Sequence, residues 1–302
     1  MRYAIVDLGS NTMRMSVYDN VGDNCTRILS EKEIAGIVGY VENSCLNNEG
    51  IYKIITALKG FLQTAKAVNV DKFCCFATAS LRNIDNTEEV LEKIKNETGL
   101  LVEVISGEEE AKLDFYGAYS SCDLEQGLMV DMGGGSTELI LFKGASIALA
   151  VSLPFGSLLL YKKFVKNIIP DKKELKEIRL YVKKRISEVQ WLKNCAEDTC
   201  VIGGTARAMA RLHMEFFKIM PQNVRNYKYD SGDIIKLQAF VEQNPNLAKD
   251  MIIKAAPERI HTILPGMVGF GNIVKFAGSK TISVSYNGVR EGYLNQRILN
   301  KK

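Results

Sequence analysis

The chain opens on two short apolar runs, Tyr3 to Leu8 and Met13 to Tyr18, separated by the small-residue stretch Gly9-Ser10-Asn11-Thr12. Runs of this length around such a turn predict a β-hairpin. From Asn48 to about Asn69 the apolar residues Ile51, Ile54, Ile55, Leu58, Phe61, Leu62, Ala65 and Ala67 recur at helical spacing, and 71–78 and 101–105 read as buried strands. Strand and helix alternate, as in an α/β layer architecture.

A second hairpin begins at Gly127. Leu128 to Met132 is one strand, Gly133-Gly134-Gly135-Ser136 the turn, Thr137 to Phe142 the return strand, and a third strand follows near 145–153. A shift of 124 residues lays Val6, Asp7 and Gly9 on Val130, Asp131 and Gly133. The period is that of a domain, so the pattern predicts an internal duplication rather than a solenoid. Further on come a charge-rich helical pattern over 171–194, a strand at 200–204 entering a helix from Thr205, and another helix for which Ser231 is the expected N-cap. The basic residues of 171–194 read first as a solvated helix face, and together with Lys162 and Lys163 as a positive path for a long polyanion. With no long Pro/Gly/Ser linker in the chain, the duplication alone sets the lobe boundary, near 118–125. The expected domains are 1–121 plus 293–302 and 122–292, the helix after Gly292 returning to the first lobe.

The composition agrees with two globular lobes: 302 residues, 46% of them hydrophobic, are enough for two cores. Lysine and arginine outnumber aspartate and glutamate by 39 to 35, too slight an excess to indicate a nucleic-acid binder. Seven cysteines without a C-x-x-C pair, and two histidines, His213 and His261, argue against a zinc site or a disulfide framework. The histidines are expected to pack or hydrogen-bond at helix surfaces, and Tyr286 to lie in the core. No apolar run approaches the ~18 residues of a membrane span, and no signal-peptide cleavage site follows Met1, so the expected location is the cytoplasm.

The candidate chemistry lies where the strands end. Asp7-Leu8-Gly9 and Asp131-Met132-Gly133 both place a carboxylate beside glycines, a combination suited to holding a metal and letting backbone N–H groups reach phosphate oxygens. With Gly203-Gly204-Thr205 they resemble, in order, the two phosphate loops and the adenosine loop of the actin-like ATPase superfamily; no Walker A or G-x-G-x-x-G pattern competes. The resemblance narrows with Asp7-Leu8-Gly9-Ser10-Asn11-Thr12 and Arg14, Val130 to Leu139, Ala77 to Asn83, Ile105 to Ala111, Glu258-Arg259, Leu264-Pro265-Gly266 and Val289 to Gly292. These segments resemble those of the exopolyphosphatase/guanosine pentaphosphate phosphohydrolase (Ppx/GppA) family, from Asp7 to Gly292. Phe155 stands where that family usually has leucine. The chain stops at Lys302, where many members continue into a helical HD-type module, so any contribution of that module is expected to be absent.

The resemblance implies two duplicated ribonuclease-H-like domains with substrate in an interdomain cleft. It also implies metal-dependent release of terminal orthophosphate from inorganic polyphosphate of short or intermediate length. By motif position Glu110 is the base that activates water, with Arg82 and Glu138 in catalytic roles; the bland alternative for Glu108, Glu109 and Glu110 is a helix N-terminus complemented by acid. Asp131 and Glu138 would hold Mg²⁺ (or Mn²⁺), with Asp7 in a secondary metal role. Gly9, Ser10, Asn11, Thr12, Gly133, Gly134, Gly135, Ser136 and Thr137 would bind phosphate through N–H and hydroxyl groups, and Arg14, Arg259 and Arg290 through guanidinium groups. Hydrolysis of the 5′-phosphate of guanosine pentaphosphate, or a non-catalytic sensor of guanosine polyphosphate or polyphosphate, stands as the alternative. No nucleic-acid or membrane partner is expected, and a homodimer is left open.

Overall fold

The computed structural model describes residues 1–300 other than 23, 221, 222 and 226, and of residue 120 the backbone alone; positions 301 and 302 of the segment expected to rejoin the first domain lie outside it. The chain divides into two compact units, Met1–Glu110 and Ala111–Lys302.

In the first unit β1 (Arg2–Leu8), β2 (Thr12–Val21) and β3 (Asn24–Ile34) form an antiparallel meander, and β4 (Val41–Glu42) and β5 (Cys45–Leu46) a small separate ribbon. There follow α1 (Asn48–Ala67), β6 (Lys72–Ala77), α2 (Ala79–Arg82), α3 (Thr87–Thr98), β7 (Val102–Val104) and α4 (Gly107–Ala118), within which the division falls. The sheet order is β3-β2-β1-β6-β7, with β6 parallel to both β1 and β7. Helix α1 starts where the Asn47 side chain accepts the Gly50 N–H at 3.0 Å, and it buries Ile51, Ile54, Leu58 and Phe61 against Val6, Leu8, Met13 and Met15 of the sheet. Each such side chain contributes about 1.5–3 kcal/mol by leaving water.

The second unit repeats the plan. β8 (Gln126–Met132), β9 (Thr137–Lys143) and β10 (Ser146–Leu153) form the meander; then come α5 (Ser157–Phe164), α6 (Lys172–Ser187), β11 (Asp198–Ile202), α7 (Gly203–Phe216), β12 (Lys228–Asp230), α8 (Ser231–Gln243), α9 (Pro245–Ala255), α10 (Ile263–Ala277), β13 (Thr281–Val284) and α11 (Val289–Tyr293). The order is β10-β9-β8-β11-β13-β12, the first unit's arrangement with one extra antiparallel edge strand. Both faces of this sheet are covered, which explains why Leu128 to Val130 reads as an unbroken apolar run. Leu128, Val130 and Met132 pack into one cluster with α6, α7, α8 and α10, while Met129 joins Phe115, Ile140, Phe142, Cys200 and Ile202 in another. Alternate side chains of one strand thus feed two cores. The architecture is α/β, two duplicated ribonuclease-H-like domains of the actin-like ATPase fold.

Several expectations shift. The cap of α8 is Asp230, whose side chain accepts the Gly232 N–H, and not Ser231, which is the first helical residue. The basic helix ends at Ser187, held at its start by a reciprocal capping box between Asp171 and Glu174, and its Arg179 pairs with Glu242 of α8. Tyr286 is not a core residue: it is 38% exposed, with the Arg207 guanidinium 5.8 Å from its ring centroid. His213 is buried rather than at a helix surface, while the His261 ring lies 5.1 Å from that of Tyr161. Among the described residues no helix is long and apolar enough to cross a membrane.

Candidate functional site

In the first unit β1 delivers Asp7 and Leu8 to the Gly9–Thr12 turn, and Asp7 is the direct antiparallel partner of Arg14 on β2. The turn is anchored from outside: the Ser10 and Asn11 carbonyls accept the N–H groups of Val38 at 3.3 Å and Gly36 at 3.0 Å, and Ser80 Oγ donates to the Leu8 carbonyl. Burial, and then the charge of Asp7, push the thiol of neighbouring Cys75 far above its usual range.

Parallel pairing of β6 with β7, continued by a 3.0 Å bond from Ile105 N–H to the Ala77 carbonyl, brings the Ala77–Asn83 and Ile105–Glu110 segments side by side. There Arg82 Nη1 donates both to the Ile105 carbonyl at 3.0 Å and to Glu110 Oε2 at 2.9 Å. Both side chains are largely buried, 19% and 12% exposed. The three consecutive glutamates are not equivalent. The Ser106 hydroxyl accepts the Glu109 N–H at 3.1 Å and the Glu109 carboxylate accepts the Ser106 N–H at 3.2 Å, so Glu109 belongs to a capping box of α4. Glu110 instead turns to an arginine.

In the second unit the same strand register carries different side chains. Asp131 on β8 is the direct antiparallel partner of Glu138 on β9. Directly opposed residues share a face with Cβ atoms about 4.5–5.5 Å apart, where like charges repel. Glu138 is almost wholly buried, and its Oε1 accepts the Ser152 hydroxyl at 2.8 Å. Among the described residues no group of three or more His, Cys, Asp or Glu side chains could hold a metal ion. Two carboxylates on one face are a donor set of the hard oxygen type that Mg²⁺ takes, with water and phosphate oxygens filling the rest of its shell.

The Gly133–Ser136 turn is closed by a 3.0 Å bond from Gly133 N–H to the Ser136 carbonyl. Its outer carbonyls are tied to the start of α5: the N–H groups of Ser157 and Leu158 donate to Gly133 O at 2.9 Å and Gly134 O at 3.1 Å, and the Thr137 hydroxyl donates to Phe155 O at 2.6 Å. Thr137 thus holds the turn in place. Arg290 sits half-buried in the first turn of α11, beside the bond from Gly288 N–H to the Glu291 carboxylate.

Arg259 is the unusual cation. It is 8% exposed, lies against Gly204 at the start of α7, and among the described residues nothing ion-pairs with or hydrogen-bonds to its guanidinium. Its neighbour Glu258 is taken by Arg211 at 2.9 Å. Burial pushes the Arg259 pKa below its usual range, against the opposing pull of Glu258 and Asp131. Sequence reading selected Arg259 but not Arg211, which isolates it, nor Ser152, which orients Glu138. Only strand register would have pointed to the second, because Ser152 pairs directly with Glu138.

This arrangement can be compared with known proteins. A bifunctional 3-dehydroquinate synthase/phosphatase of Fusobacterium nucleatum is 27% identical over 99% of this chain, which spans 47% of that protein, about half its length. Exopolyphosphatase 1 of Mycobacterium tuberculosis is 24% identical over 99% of this chain and 88% of its own length. Among solved structures, the Ppx/GppA family member of Aquifex aeolicus superposes with a TM-score of 0.81 at 29% identity, covering 99% of this chain and 98% of that one. An exopolyphosphatase from Cytophaga hutchinsonii shares the fold, with a TM-score of 0.89 at 21% identity over 100% of this chain and 99% of that one. The sequence profile of the Ppx/GppA phosphatase family matches residues 16–301, and the chain belongs to that family.

Proposed function

We propose that the chain is a Mg²⁺-dependent exopolyphosphatase that removes terminal orthophosphate from inorganic polyphosphate. The observation that carries this reading is Arg259. A buried cation that, among the described residues, nothing ion-pairs with is costly, and an arriving phosphate oxygen removes that cost while a planar guanidinium can take two such oxygens. Arg14 and Arg290 serve the same polyanion, and the N–H and hydroxyl groups of Gly9, Ser10, Asn11 and Thr12, and of Gly134, Gly135 and Ser136, cradle its oxygens, while the Gly133 N–H and the Thr137 hydroxyl, taken by the Ser136 and Phe155 carbonyls, hold the turn instead.

Phosphoanhydride hydrolysis asks little covalent chemistry of a protein; it needs an oriented water and neutralised charge. Glu110, fixed by Arg82, takes a proton from the attacking water. The water oxygen bonds to the terminal phosphorus, the bridging P–O bond breaks, and the shortened polyphosphate departs with the bridging oxygen. Asp131 and Glu138 would hold Mg²⁺, with Asp7 in a secondary role, and the ion would supply charge neutralisation at the phosphoryl oxygens.

Orthophosphate release should be measured with Mg²⁺ from polyphosphates of several lengths and from guanosine pentaphosphate, with and without EDTA. Release from polyphosphate that EDTA abolishes and Mg²⁺ restores is the expected result. Release from guanosine pentaphosphate alone would move the substrate to the nucleotide, and release insensitive to EDTA would remove the metal.

A further inference from the structure

Helix α7 opens on two consecutive glycines, a poor start for a helix, because glycine has more backbone freedom to lose than any other residue. The surroundings give a reason for both. Gly203 has φ of +90°, and a Cβ there would lie 2.5 Å from Asp131 Oδ1 and 3.4 Å from its Cγ. At Gly204 a Cβ would overlap Nη2 of Arg259 and lie 3.0 Å from Cζ and 3.7 Å from Nε. Adjacent residues of one backbone thus leave room for a carboxylate and for a guanidinium. We propose that Gly203-Gly204 is a positioning element, in which the missing side chains seat Asp131 and Arg259 next to one another. This rests on the reading above that Asp131 and Arg259 meet the metal and the phosphate.

The physical case turns on Arg259. An arginine side chain is long and rotamer-rich, and a binding group that must be ordered on every encounter loses affinity. Here the guanidinium lies against the bare backbone of Gly204, enclosed, and among the described residues no carboxylate ion-pairs with it. The space at Gly204 stands in for that carboxylate. It fixes the cation without neutralising it, so the charge stays available to an anion. A methyl group at 204 takes the same volume as Nη2, and the guanidinium is what must move.

Gly204→Ala is the informative variant, since the atoms it meets belong to the far end of a flexible side chain; Gly203→Ala would be strained by its positive φ and is less useful. Binding of tripolyphosphate by calorimetry in metal-free buffer, steady-state kinetics with Mg²⁺, and thermal melting should be compared for the wild type, Gly204→Ala, Arg259→Ala and the double variant. Gly60→Ala serves as the control, because a Cβ at Gly60 in α1 would meet nothing within 4 Å. The expected result is a loss of tripolyphosphate affinity of about tenfold or more in Gly204→Ala, a matching rise in KM, and an unchanged melting temperature, with no further loss in the double variant relative to Arg259→Ala. Wild-type affinity in Gly204→Ala, or losses that add in the double variant, would overturn the seating role while leaving the phosphate role of Arg259 intact. Unchanged affinity in Arg259→Ala would instead overturn the reading of the site itself.

Discussion

Arg259 and His213 show how differently two buried titratable side chains can be used. Among the described residues nothing ion-pairs with or hydrogen-bonds to the Arg259 guanidinium, whereas His213 is satisfied on both sides, its Nδ1 3.0 Å from Tyr227 Oη and its Nε2 3.2 Å from Asp233 Oδ2. Asp233 can only accept, so Nε2 carries the proton of the neutral ring and Nδ1 accepts from the Tyr227 hydroxyl. Burial lowers the His213 pKa from 6.5, and Lys236 adds to this, while the bond and charge of Asp233 oppose it. The unfolded chain therefore takes up the proton first as pH falls. Stability is full above about pH 6.5 and declines below it, through the lowered folded-state value, at up to ~1.4 kcal/mol per pH unit for this one group. Chemical denaturation at pH 7.5 and 5.5 checks this: the wild type should lose more stability on acidification than His213→Gln, and equal losses would contradict it. Neither environment was legible in the sequence. The isolation of Arg259 depends on Arg211 capturing Glu258 from another helix, and the burial of His213 depends on Tyr227 and Tyr229 closing over it.

At the scale of elements, the legible parts were those whose pattern reflects burial. The hairpins around Asp7 and Asp131 and the long amphipathic α1 stood out because most of their apolar residues face a core. Strand β3 did not, because it lies at the sheet edge and its side chains alternate between half-buried and exposed without a core face. Helix α10 was hidden for the opposite reason: almost every residue is buried, so no period marks it. The start of α4 is where an element and a candidate base meet. Motif position singled out Glu110 in the sequence, and the structure adds the physical difference: Glu109 closes the capping box while Glu110 takes the Arg82 guanidinium. Glu109→Ala should accordingly cost about 0.5–2 kcal/mol of stability and leave turnover within a few-fold of wild type. Turnover lost in Glu109→Ala, with stability unchanged, would mean that the two roles are exchanged.

At the scale of the molecule, duplication gave both units a carboxylate at the end of the first strand, and divergence gave it different company. The residue opposite Asp7 is a cation, Arg14, whereas the residue opposite Asp131 is a second carboxylate, Glu138. Under the proposed function, the opposed carboxylates of the second unit would hold Mg²⁺ and Glu110 of the first would activate water. The shift of 124 residues made the repeat legible; the consequences of the register did not become visible until the strands were paired. The most direct test of the account is the turnover of polyphosphate with Mg²⁺ by Glu110→Gln, a nearly isosteric change, measured beside tripolyphosphate binding. The account predicts turnover lower by about 10²–10⁴-fold with binding retained. Wild-type turnover in Glu110→Gln would contradict it.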